Sequence, residues 1–193
     1  RANPAGAVMA KGAELPSLAT LQAILEYEPE TGRLLWKERA VEMFKDGAIW
    51  TADQVQKRWN TRWAGKEAFT CKMRDGHKQG AVFNKLFLAH RVAFKLFYGH
   101  DPIWEVDHIN GDPSDNRIIN LRDVCHKENM RNLKVRRNNS SGLTGIRYDA
   151  ARNKWVANVG KKRLGRFERV EDAILVRSQA EAEYGYHENH GKR

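Results

Sequence analysis

Cysteine is scarce in this chain, and long apolar runs are missing. Two cysteines occur in 193 residues, Cys71 and Cys125, far apart and with no CxxC pair. That speaks against a disulfide framework and against zinc fingers built on paired thiolates. No stretch reaches the roughly 18 apolar residues of a membrane span, and no secretory signal pattern is visible. There is no internal repeat and no long low-complexity tract. The chain opens on Arg1 with a methionine only at position 9, and residues 1–16 are read as a flexible N-terminus or a remnant outside the fold. These absences leave a cytoplasmic protein with no membrane partner as the expectation. What is present supports folding. Hydrophobic residues make up 41 % and six tryptophans are included, too apolar a composition for wholesale disorder. The length suits one large domain or two small ones.

Acidic residues do not offset the basic ones. Net charge is +10 and the pI about 9.8, which points to a polyanionic partner, most often nucleic acid. The surplus is local. From Arg131 to Arg169 there are twelve Lys and Arg against two Asp and Glu; the other residues carry twenty-two of each. All net charge therefore falls in 39 consecutive residues, as a surface that tracks phosphates would require.

Three regions follow from the patterning. In residues 17–84, Ser17 precedes an apolar stripe at helical spacing (Leu18, Leu21, Ile24, Leu25) and is a plausible N-cap. Glu28 to Gly32 is turn chemistry, and 33–37 reads as a short strand. A second helix over 53–63 has Thr51 as its cap. Residues 67–73 and 79–88 read as strands around an Arg74-Asp75-Gly76 turn. The amphipathic stretch 89–98 is a helix ended by Gly99. Trp36, Trp59 and Trp63 suit a core better than a contact surface. The segment 85–135 is polar and crowded with Asp, His and Asn past residue 103. Residues 136–142 form a basic, then polar, glycine-ended linker. Region 143–187 holds strand-like runs at 143–148, 154–159 and 162–167 and a helix near 171–184, followed by a tail, 188–193.

The chemistry concentrates in the second region. A strand ends in Val106-Asp107-His108, then an Asn110-Gly111 turn, a loop closed by Asn120-Leu121, and a helix from Cys125 to Leu133 carrying Asn129. Asp and Asn oxygens are hard ligands suited to Mg²⁺ or Mn²⁺, and a His beside them titrates in the right range to deprotonate water. Asp112, Asp115 and Asn116 read as turn formers. His90 and Arg91, at a helix start, read as packing or phosphate-anchoring residues. A calcium loop is excluded, because 107–116 lacks the alternating acceptors and the closing Glu.

At Ala89-His90-Arg91, Val106 to Asp112, Asp115-Asn116-Arg117, Asn120-Leu121 and Glu128-Asn129-Met130 the chain resembles the HNH endonucleases, in particular their phage and intron-encoded branch. The resemblance implies a ββα-metal unit. It makes His108 the general base and Asn120 the residue that orients it through a backbone or side-chain hydrogen bond. Asp107 and Asn129 become the ligands of one divalent ion, Mg²⁺ or alternatively Mn²⁺. Aspartate for a first histidine and asparagine for the last exchange nitrogen for oxygen, which favours Mg²⁺ over Zn²⁺.

The third region interleaves basic and aromatic residues on its strands. At Ser141 to Tyr148, Lys154 to Ala157, Leu164 to Phe167 and Glu171-Asp172-Ala173 it resembles the ethylene-response-factor (Apetala-type) DNA-binding domain. That similarity implies a three-stranded sheet and helix with Arg147, Trp155 and Arg163 facing DNA. The wider DNA-binding set is Arg91, Arg131, Arg136, Arg137, Lys154, Lys162 and Arg166. The expected fold class is α+β, and the expected function is a phage-type homing endonuclease acting on double-stranded DNA in a bacterial or phage-infected cell, with a monomer favoured. The alternative is a DNA-binding transcriptional regulator with an inactive nuclease core.

Overall fold

The computed structural model describes residues 14–130, 139, 141–186 and 190. The chain divides into two compact units, residues 1–124 and 125–193, and both mix helices with small antiparallel sheets. No helix among the described residues is long and apolar enough to cross a membrane.

In the first unit, α1 (Leu18–Ile24) starts where the Ser17 hydroxyl accepts a hydrogen bond from the Thr20 amide at 3.1 Å. It stops one residue earlier than the apolar stripe predicts. Leu25 is extended, at φ −132° and ψ 146°, because β1 (Leu25–Glu28) pairs antiparallel with β2 (Arg33–Trp36) from Leu25 opposite Trp36 to Glu28 opposite Arg33. α2 (Ala52–Trp63) opens with a full capping box between Thr51 and Gln54. This satisfies two of the amides that a helix start leaves without partners.

The expected strand at 67–73 shrinks to β3 (Cys71–Lys72), and the single strand at 79–88 is two, β4 (Lys78–Val82) and β5 (Lys85–Leu88). The turn between them uses Phe83 and Asn84, both at positive φ, 48° and 62°. This is the geometry a two-residue hairpin needs, but phenylalanine there gives no sequence signal. α3 (Ala89–Tyr98) ends on Gly99 in the left-handed region. β6 (Glu105–His108) pairs with β7 (Leu121–Val124), and the Asp123 carboxylate accepts from the Ile103 and Trp104 amides at 2.7 and 2.8 Å, which fixes the approach to β6.

α3 ties these pieces together. Ala89 and Val92 join a core with Leu21, Ile24, Leu25, Leu34, Phe69, Val82 and Phe87. One turn on, Ala93 and Phe94 pack with Val106 and Leu121 of the β6–β7 hairpin. Tyr27 of β1 touches both clusters, so the N-terminal sheet and the hairpin share one helix as their common support.

The second unit begins with α4 (His126–Asn129), capped by Cys125 and Glu128. Beyond Met130 the helix expected to reach Leu133 lies outside the described residues, as do Arg131, Arg136 and Arg137. Strands β8 (Ile146–Asp149), β9 (Lys154–Val159) and β10 (Lys162–Phe167) form an antiparallel sheet with β9 central, followed by α5 (Val170–Glu183). Ile146, Ala157 and Ala173 are its buried centre, ringed by Leu143, Trp155, Leu164 and Phe167. Arg177 of α5 is buried yet paired: it donates to the Asn158 carbonyl at 2.7 Å and meets Glu181 at 2.8 Å. Those partners offset the cost of removing a guanidinium from water.

The packing of Phe69 on Gly80 in the first unit can be tested directly. Phe69 sits at φ 56°, an uncommon conformation for so bulky a residue, and lies against Gly80. A Cβ on Gly80 would come within 2.8 Å of the Phe69 ring and 2.9 Å of its Cα. Gly80→Ala is expected to lower stability by about 1–3 kcal/mol through overpacking, read as a lower urea midpoint with unchanged slope. An unchanged midpoint would mean that the Phe69 backbone is not held where it lies.

Candidate active site

The β6–β7 hairpin places Asp107 opposite Arg122 and His108 opposite Leu121. Neighbours on a strand face opposite sides, so the two functional side chains are separated. The Asp107 carboxylate is held by Arg122 Nε at 3.0 Å and Nη2 at 2.7 Å. His108 is buried, at 4 % exposure.

The loop between the strands is tied by its own polar groups. Asn120 Oδ1 accepts from the Asn110 amide at 2.9 Å, and its Nδ2 donates to the Asp115 carbonyl at 2.8 Å. Asp115 in turn takes two hydrogen bonds from the Arg117 guanidinium, at 2.8 and 2.7 Å, and one from Asn110 Nδ2. Those donors, Arg117 first, hold the Asp115 carboxyl down at about 2.

The loop exists to present Asn116. Its side-chain oxygen lies 3.1 Å from His108 Nε2, and both residues are buried. An amide oxygen only accepts, so this contact favours a proton on Nε2. Asn116 thus supplies a side-chain hydrogen bond to the ring, while the Asn120 side chain braces the loop and its carbonyl accepts from the Ile109 amide, next to His108, at 2.9 Å. β1 and the β1–β2 turn support it from behind. The Tyr27 hydroxyl donates to the Asn116 carbonyl at 2.7 Å, and the Ile118 amide donates to the Pro29 carbonyl at 3.1 Å. Gly32 packs so closely that a Cβ would stand 2.5 Å from the Arg117 amide nitrogen.

Two further histidines reach His108. His90 comes from the first turn of α3 and is buried. His77 comes from the end of the β3–β4 turn, whose Gly76 lies against Pro113: a Cβ there would be 2.7 Å from the proline ring. The three rings lie with centroids 5.0, 5.1 and 5.5 Å apart. One ligand nitrogen from each falls within 4.8 Å of the others. Burial lowers His108 below the usual histidine value, partly opposed by Asn116. Burial, reinforced by His108 and His77, lowers His90 much further. Neither the grouping nor the part played by Asn116 was visible in the sequence, where Asn116 read as a turn former, His90 as a packing or phosphate-anchoring residue and His77 as nothing at all. Only the loop lengths and Gly76 hint at it. Arg91 begins the same helix, half-buried, with its Nε lacking a partner.

In the second unit, Asn129 ends α4, half-buried. The sheet sorts the basic residues. Arg147, Val156 and Arg166 form one cross-strand row, with Arg163 opposite Asn158 and Lys154 opposite Asp149 on the same face. Trp155 lies on the other face, packed into the core beneath α5. So does Lys162, whose ammonium meets the Tyr184 hydroxyl at 2.9 Å and its ring at 5.5 Å. Trp155 and Lys162, which were expected to face DNA, therefore lie on the opposite face of the sheet from Arg147, Arg163, Arg166 and Lys154.

Asn116→Leu removes the acceptor on His108 Nε2 with little change in volume. The ¹⁵N shifts of the His108 ring are expected to show the Nε2–H tautomer in the native protein and a mixture in the variant. An unchanged tautomer would remove Asn116 from the positioning of this ring.

Residues 87–131 match the HNH endonuclease family. The phage T7 protein named Protein 3.8 is 33 % identical to this chain over a match covering 36 % of this chain and 69 % of that protein. No solved structure matches. With two thirds of that relative covered at such identity, the chain belongs to the family of phage T7 Protein 3.8, and it carries an HNH endonuclease domain at residues 87–131.

Proposed function

We propose that this protein is a divalent-metal-dependent DNA endonuclease of the phage-type HNH homing class, with His108 as its general base. The observation that carries the reading is the buried His108 ring, held at Nε2 by the Asn116 side-chain oxygen at 3.1 Å. Such a ring takes a proton from water as the water oxygen bonds to phosphorus and the bond from phosphorus to the leaving sugar oxygen breaks. Burial suits this role, because it keeps the base neutral until it receives that proton.

The resemblance supplies Asp107 and Asn129 as ligands for Mg²⁺ or Mn²⁺. Their oxygens fit a hard cation, and the Asp107 carboxylate pairs with Arg122 at 2.7 Å through one of its two oxygens. When bound, the ion supplies positive charge to the phosphate and the leaving oxygen. Asn120 keeps its place indirectly: by bracing Asn110 and Asp115 it holds the loop that presents Asn116.

Duplex binding is assigned to the basic face of the second unit, with Arg147, Arg163, Arg166 and Lys154 on one side of the sheet. An arginine fork suits base edges or phosphates, and lysine suits phosphates. Arg131, Arg136 and Arg137 add to the same run of charge in the sequence. One catalytic base per chain means one strand cut per encounter.

Supercoiled plasmid is expected to be nicked by the protein with Mg²⁺, to survive in EDTA, and to be cut roughly 10²–10⁴-fold more slowly by His108→Ala. Equal cutting by the variant would remove His108 as the base. Intact duplex binding with no cutting in Mg²⁺ or Mn²⁺ would instead favour a DNA-binding regulator. For the sheet face, Arg147→Ala with Arg163→Ala should make the slope of log affinity against log salt shallower by about one for each phosphate that is no longer neutralised. An identical slope would place DNA elsewhere.

A further inference from the structure

We infer that His77, His90 and His108 form a transition-metal site, suited to Zn²⁺, which when filled engages the His108 ring and switches the nuclease off. The inhibitory half of this inference rests on His108 being the base; the site itself does not.

The donor set selects the ion. Three imidazole nitrogens suit Zn²⁺, Ni²⁺ or Cu²⁺ and not Mg²⁺ or Ca²⁺, which prefer oxygen. Three protein ligands with a fourth position open to water is a common zinc arrangement. A tetrahedral ion with bonds of about 2.0–2.1 Å sets its ligand atoms about 3.4 Å apart. One nitrogen of each ring already lies within 4.8 Å of the others, so the rings need close by no more than about 1.4 Å.

The surroundings prepare each ring. His77 Nδ1 meets the Asp75 carboxylate at 3.0 Å, and the same carboxylate's other oxygen accepts from the His77 amide at 3.1 Å. A carboxylate behind a histidine fixes the tautomer and strengthens the opposite nitrogen as a ligand. His108 is held in the same way by Asn116. His90 is 5 % exposed, and its Nδ1 is buried with no hydrogen-bond partner. A buried polar atom left so is costly unless something fills the place. Burial and its two neighbours also keep His90 neutral, the form that binds metal.

The three ligands come from the β3–β4 turn, the start of α3 and the end of β6. All three belong to the first unit, and Gly76 against Pro113 sets how near the turn stands to the loop after His108. The site is thus distinct from the oxygen ligands assigned to the catalytic ion, although it shares His108 with the reaction.

The test uses the full chain, stripped of metal. Zn²⁺ binding is followed by calorimetry or by competition with a chromophoric chelator. Co²⁺ is then added to the native protein as a spectroscopic probe. One Zn²⁺ per chain and the intense visible absorption of tetrahedral Co²⁺ are expected. Asp75→Asn should weaken Zn²⁺ binding about tenfold or more, and His77→Ala about 100-fold or more, since even the loss of an outer partner costs roughly 10–100-fold. In Mg²⁺, Zn²⁺ should inhibit plasmid nicking, and His77→Ala should need a correspondingly higher concentration, each protein being compared with its own zinc-free rate. Absence of stoichiometric Zn²⁺ binding and of the cobalt spectrum would overturn the site. Equal inhibition of native and His77→Ala proteins would overturn it as the place where zinc acts. Tight binding with undiminished nicking would overturn the switch, and would leave the site standing while removing His108 as the base.

Discussion

The hydrogen bond between the Asn116 side chain and His108 Nε2 is the contact around which the first unit is organised. A neutral imidazole is ambiguous: either nitrogen can hold the proton, and only one arrangement points a basic nitrogen in a useful direction. Resolving that ambiguity needs an acceptor held rigidly against the ring. A loop of a dozen residues cannot be rigid by itself, so it is cross-braced by Asn110, Asp115, Arg117 and Asn120. It is then pinned from behind by Tyr27 and the turn at Pro29 to Gly32. The N-terminal sheet, for which the sequence suggested no role at the site, is thereby a support for the loop that holds the His108 ring.

Burial serves this arrangement and also limits it. Removing His108 and His90 from water lowers both below the usual histidine range, which keeps them neutral near pH 7. Neutral imidazole is at once a general base and a metal ligand, so the environment that prepares the one prepares the other. Ion choice then depends on donor chemistry. A cluster of three imidazoles suits a borderline cation rather than a hard one.

Much of the architecture was legible where local chemistry decides. Ser17, Thr51 and Gly99 marked helix ends because capping groups satisfy amides or carbonyls a few residues away. The three strands and helix of the second unit followed from short alternating runs separated by turns. The failures have a common cause, which is that a distant partner overrode the local pattern. Leu25 continues a helical stripe but is claimed by Trp36 across a sheet. Phe83 and Asn84 turn a hairpin whose closing force is the pairing of β4 with β5 rather than a favourable turn residue. Within the site, Asp107 and His108 stood out as a motif, whereas Asn116 looked like one more turn former between Asp115 and Arg117. His77 belongs to an ordinary turn until Gly76 meets Pro113.

Charge is distributed in keeping with the chemistry of the buried ring. Outside residues 131–169 basic and acidic residues balance, and several acids of the first unit are spent on structure: Asp115 on Arg117, Asp101 on Lys95, Glu67 on Arg33 and Lys78. Extra cations packed around buried imidazoles would depress the basicity of His108 still further and weaken it as a proton acceptor. The surplus positive charge falls instead in residues 131–169, part of it on one face of the second unit's sheet through Arg147, Arg163 and Arg166.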